Sequence, residues 1–245
     1  MDKTRLKTAR SVVNLRQGRS DWYRIENKSN SDTADVYIYD EIGFFGITAN
    51  DFVKELNDIT ASKIDLHLST PGGDVFDGIA IYNALKNHSA EVTTYVDSLA
   101  ASAGSFIAMA GDTIIMQRTA QIMIHDAHGL AIGNAADMRE LADLLDKSSD
   151  NIASIYAERA GGSVEDWRKA MQAETWYSAE EAVEAGLADK INGKDSEDKT
   201  DNSWDLSIYN YAGRESSPPP VVRSKEEAPI IDPDEFRRLL EESFA

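Results

Sequence analysis

At 245 residues the chain can hold one ordinary domain with extensions and bury a sizeable core. Its net charge of -18 argues against a nucleic-acid footprint, since phosphate binding needs clustered Lys and Arg. The absence of cysteine excludes disulfides, thiolate catalysis and Cys-ligated zinc, and is compatible with a reducing cytoplasm.

In chain order, residues 1 to about 33 are polar and mixed in charge and read as a loose arm; their basic start lacks the apolar core of a signal peptide. From Ala34 to about Ile191, strand-like and helix-like patterns alternate. Residues 36–43 begin as a strand and end at a Gly turn. Residues 49–59 place Phe52, Val53, Leu56 and Ile59 on one helical face. The alternating run 64–69 predicts a strand closed by Thr70-Pro-Gly-Gly. A helix follows over about 76–87 and a strand over 92–96. The small-residue run from Ala100 to Gly111 suits a closely packed helix, and is too short to span a bilayer.

Two short strands, 113–116 and 121–125, lead to a long helix over about 134–159. Its apolar stripe is Met138, Leu141, Leu145, Ile152, Ile155 and Tyr156. Trp176 and Tyr177 read as core. This alternation predicts an α/β fold with mainly parallel pairing and right-handed crossovers. Residues 192–230, rich in charge, Ser and Pro, read as an extended, mobile linker. Residues 231–245 read as a short amphipathic C-terminal helix with Phe236, Leu239, Leu240 and Phe244 on one face.

Serine is a weak nucleophile until a base takes its proton, and the tetrahedral product needs donors aimed at its oxyanion. Ser102 lies at the expected first turn of the helix after strand 92–96, where free amides favour negative charge. The amide of Ala103 is the natural first oxyanion donor. The Pro71-Gly-Gly turn offers a second, because glycine lets an N–H approach substrate closely. No cluster has metal-ligand spacing and no phosphate loop occurs, so no metal or cofactor is expected.

Four ordered blocks carry a resemblance: LSTPGGDVFDGIAIYNAL, LAASAGSFIAMAG, IMIHDAHG and ETWYSAEEAVEAGLAD. Together they resemble the signatures of Clp-type serine peptidases, over roughly Val36 to Ile191. The resemblance implies a Clp-peptidase/crotonase-like fold of repeated strand-strand-helix units with a long handle helix. It implies Ser102 as nucleophile, His125 as general base, Gly73 and Ala103 as oxyanion donors, and Glu174 as the orienting acid. Two departures stand at the acid: Glu replaces the family's Asp, and Thr175 replaces a basic residue. Asp126 is the alternative orienter and His128 the alternative base. Ser98 and Ser105 do not match the nucleophile position, while His67 and His88 read as structural or surface residues.

The resemblance further implies a protein or peptide substrate and a homo-oligomeric ring, with no nucleic-acid or membrane partner. Asp74-Val-Phe-Asp-Gly, Ala110-Gly-Asp and Glu174-Thr-Trp, with the long polar tail, are similar to the bacteriophage head maturation (prohead) protease subset. That subset implies a capsid or scaffold protein as partner, in the host cytoplasm or the procapsid. Three rivals stand beside it: a cellular peptidase fed by an ATP-driven unfoldase, a Ser-Lys peptidase, and an inactive crotonase-like assembly scaffold. The second is disfavoured by the lack of lysine between Lys86 and Lys147.

Overall fold

The computed structural model describes residues 23–27, 32–43, 46–193 and 211–220. The proposed C-terminal helix at 231–245 and most of the N-terminal arm lie outside the described residues.

Strands β1 (Tyr23–Asn27), β2 (Thr33–Ile38), β3 (Lys63–Thr70), β4 (Glu91–Ala101), β5 (Thr113–Gln117) and β8 (Lys190–Asn192) lie side by side in that order. Pairing is parallel throughout except for β1 against β2. β1 falls inside the segment read as a loose arm. The alternation of Tyr23 and Ile25 was a strand signal there, outweighed by the surrounding charge.

β4 is longer than the predicted 92–96, and its length organises the site. Residues 93–96 pair with β5, and 99–101 pair with β6 (Gln121–Ile124). β6 then pairs antiparallel with β7 (Thr175–Ser178). The end of β4 therefore carries Ala101 to the point where β6 delivers its own terminus. The helix expected from Ala100 starts later, as α3 (Ala103–Ala108), and Ala100 and Ala101 are strand residues.

One face of the sheet takes the core. Ile64, Leu66 and Leu68 of β3 and Val96 of β4 are fully buried, alternating with partly exposed neighbours. Against them pack Phe52 and Leu56 of α1 (Ala49–Leu56), Ile81 and Leu85 of α2 (Val75–Lys86), and Phe106 and Ile107 of α3. The small residues matter here. A Cβ on Gly104 would stand 2.5 Å from Thr70 Cγ2, so α3 can approach β3 only without one. The opposite face carries a stacked row, with Tyr37 and His67 centroids 4.7 Å apart and His67 and Tyr95 4.9 Å apart. His67 also contacts Asp97 at 2.8 Å, a structural role. His88 accepts from the Ala90 amide in a turn.

The long helix α4 (Ala135–Ala160) starts at a capping box between Asn134 and Asp137. Only its second half enters the core, through Ile152, Ala153 and Tyr156. Of the predicted stripe, Met138 is exposed and Leu141 and Leu145 are half-buried, so it divides into a packed half and a looser half; Leu144, outside the stripe, is also exposed. A further helix, α5 (Val164–Gln172), was absent from the sequence reading. Ser163 caps it and Trp167 and Met171 are its buried positions, one turn apart. Ser178 caps α6 (Ala179–Ala185) through a capping box with Glu181. This is the fold class the alternation predicts. No described helix is long and apolar enough to cross a membrane.

Candidate active site

Ser102 sits in the turn between β4 and α3 with φ 51 and ψ -120, a backbone region that costs a non-glycine residue of order 1–3 kcal/mol. Its amide donates to the Met123 carbonyl of β6 at 2.9 Å, and its carbonyl accepts from Ser105 Oγ, so both peptide groups are held. The side chain makes no capping bond to α3. It is left to face the end of β6, where the His125 imidazole Nε2 lies 2.7 Å from Ser102 Oγ. That is hydrogen-bond distance between a nucleophile and its base.

The Thr70-Pro-Gly-Gly turn closes the site from the side of β3. Thr70 Oγ1 accepts from the Gly72 amide at 3.1 Å and donates to the Asp40 carbonyl, fixing the turn. Gly72 has φ +93, and a Cβ built there would lie 2.7 Å from Ser102 Cβ and 2.8 Å from the Ala103 amide nitrogen. The turn is thus pressed onto the nucleophile and onto the Ala103 amide. α3 has only six residues, too short to supply a long helix dipole at this end.

The rivals separate. Ser105 is buried and bonded to the Ser102 carbonyl and to Tyr156 Oη at 2.7 Å. His128 is exposed, its ring 4.7 Å from that of His125, and it makes no described bond to Ser102. Asp126 does not turn back to His125. It binds Arg168, which also holds Asp146 and Asp150 and so ties the loop after β6 to α4 and α5.

The family model for Clp protease matches residues 22–195. The chain belongs to the Clp protease family. Members of this family are serine peptidases that act on protein substrates and typically form oligomeric rings. In this Clp protease the acid departs from the expectation for Glu174. Glu174 has φ 51 at the start of β7, yet among the described residues its carboxylate makes no hydrogen bond to His125. Oε1 accepts from Trp176 Nε1 at 3.0 Å and from the Gly213 amide at 2.9 Å, and Oε2 accepts from the Ala212 amide at 2.8 Å. The partners of Glu174 include a segment read from sequence as mobile linker. Residues 211–220 instead pack on the site, with Tyr211 edge-on to His125 at 5.2 Å. Tyr211, Arg214 and Ser217 were missed because their neighbours are Pro, Ser and charge, a composition that signals no packed core.

Burial, reinforced by His128 and opposed by Glu174, pulls the His125 pKa from 6.5 to about 4. The imidazole is therefore neutral and able to accept a proton at ordinary pH. The unfolded chain protonates near 6.5 and the folded chain only near 4, so this group's contribution to stability is present above 6.5 and is lost as pH falls towards 4. The acid limb of Ser102 modification by a fluorophosphonate is expected near pH 4. A limb at 6.5 in a rate-against-pH series would contradict a desolvated base.

Proposed function

We propose that the chain is a serine endopeptidase in which Ser102 is the nucleophile and His125 the general base. The observation that carries this reading is the 2.7 Å approach of His125 Nε2 to Ser102 Oγ. Ser102 Oγ attacks the scissile carbonyl carbon while its proton passes to His125 Nε2. The oxyanion is received by the amides of Gly73 and Ala103. The same imidazole returns the proton to the leaving amine, and a water then hydrolyses the acyl-enzyme by the reverse sequence of proton transfers. Glu174 is the acid assigned to stabilise the imidazolium, a role that requires its carboxylate to reach Nδ1.

The blocks around Asp74, Ala110 and Glu174 support a finer role, the processing of capsid or scaffold proteins during phage head maturation. The exposed apolar residues of the first half of α4, among them Met138 and Leu144, support assembly of the subunit into a homo-oligomeric ring. A fluorophosphonate probe with peptide mapping tests the chemistry: one label per chain, on Ser102, is expected. Labelling confined to another serine would overturn it. Co-expression with a capsid or scaffold protein tests the finer role, through cleavage that disappears with Ser102→Ala.

A further inference from the structure

The segment beyond the peptidase domain makes a built contact with the site. The Tyr211 phenol donates to the Pro71 carbonyl at 2.7 Å, on the turn that carries Gly72 and Gly73. Its ring reaches the His125 imidazole on the other side and packs against Leu99, Ala101, Met123 and Trp176. Ser102 is bonded to that imidazole and pressed by that turn, so Tyr211 links the two groups that flank the nucleophile. The next two amides both point at Glu174, Ala212 to Oε2 and Gly213 to Oε1. Arg214 then clamps the Glu181 carboxylate, 3.0 and 2.7 Å to its two oxygens, and reaches the Trp176 carbonyl. Ser217 Oγ donates to the Glu174 carbonyl at 2.5 Å.

Two contacts bear on the chemistry. The Tyr211 ring lies against His125, the residue bonded to Ser102 Oγ, and its phenol holds the turn beside Ser102. The Glu174 carboxylate is engaged by three donors, Trp176 and Gly213 on Oε1 and Ala212 on Oε2, and none of them is the imidazole, whose one described hydrogen bond is to Ser102. We propose that residues 211–217 are an internal occupant of the substrate cleft, which keeps the enzyme latent by covering Ser102 and holding Glu174 away from His125 until the segment is displaced. The proposal rests on the peptidase reading above. It also assigns the apolar cluster of Leu99, Ala101, Met123 and Trp176, on which Tyr211 packs, to an aromatic side chain of whatever peptide replaces Tyr211.

Two full-length variants release the segment without touching the catalytic groups. Tyr211→Ala with Arg214→Ala removes both anchors. Gly213→Pro removes the amide that donates to Glu174, at a position with φ 82 that proline cannot adopt. Both are expected to raise fluorophosphonate labelling of Ser102 and peptide turnover by roughly tenfold or more, because the competent fraction rises. The acid limb should also move upward from the wild-type value, since a freed Glu174 favours the charged imidazole. A synthetic peptide of residues 211–220 should inhibit the released variants competitively. Unchanged or lower labelling in both variants, with Ser102 still labelled, would overturn latency and leave the peptidase reading standing. No labelling in wild type or either variant would reject both.

Discussion

Ser102→Ala is expected to abolish peptide hydrolysis, and His125→Ala to do nearly the same, with losses of roughly six orders of magnitude in kcat. The two side chains act as a unit across one 2.7 Å hydrogen bond, so either removal disables the attack step. Residual hydrolysis above the uncatalysed rate would come from the oxyanion donors alone. Folding should survive. Ser102 makes no capping bond, its side chain is not part of the buried core, and alanine retains a Cβ under the same strained φ of 51. Ser102→Gly sharpens the test, because glycine occupies that backbone region without the penalty. It should be as inactive as Ser102→Ala but unfold at a higher temperature. Substantial activity in Ser102→Ala on a fluorogenic peptide, after excluding contamination, would remove Ser102 from the mechanism.

The fold was legible where apolar periodicity was strong and local. β3 and α2 match the expected bounds within a residue or so, because alternation of Ile64, Leu66 and Leu68 and the following helical pattern each reflect a single buried face. Less legible was the end of β4. Ala100 and Ala101 carry no strand propensity, and they extend the strand only because β6 supplies a partner at Leu99–Ala101. α5 was missed although Ser163 with Asp166 is a capping signal, because its four charged residues, Glu165, Asp166, Arg168 and Lys169, dilute the two buried positions. The stripe on α4 was seen, but periodicity does not say which half meets the core.

The candidate site was legible in part for the same reason. Ser102, His125 and the Gly pair are brought together by β3, β4 and β6, whose ends the order of the blocks already implied. The acid was not. It stands just before β7, but its hydrogen bonds depend on residues 212 and 213, separated from it by 38 and 39 positions. No spacing rule reaches across such a gap, and the polar composition of the tail pointed the other way.

Gly72→Ala carries the second large effect, and it acts through the turn pressed onto the Ala103 amide. The added methyl would stand 2.8 Å from the Ala103 nitrogen, within the 2.7–3.1 Å at which an oxyanion should accept from that amide. It would also press on the Ala101 carbonyl at 2.6 Å, and its φ of +93 disfavours any side chain. Loss of one oxyanion donor costs roughly 10²–10³ in kcat, and displacement of the turn that carries Gly73 threatens the other donor. A fall of at least about 10³ in kcat/KM is therefore expected, with a modest drop in Tm from the strained backbone. The methyl would also meet Ser102 Cβ at 2.7 Å, so the nucleophile is pushed along with the oxyanion site and the loss should fall on kcat. Fluorophosphonate labelling should fall with it, since the phosphonyl oxygen needs the same amides. Retention of kcat/KM within tenfold of wild type would mean that the oxyanion is received elsewhere, and would take Gly73 and Ala103 out of that role.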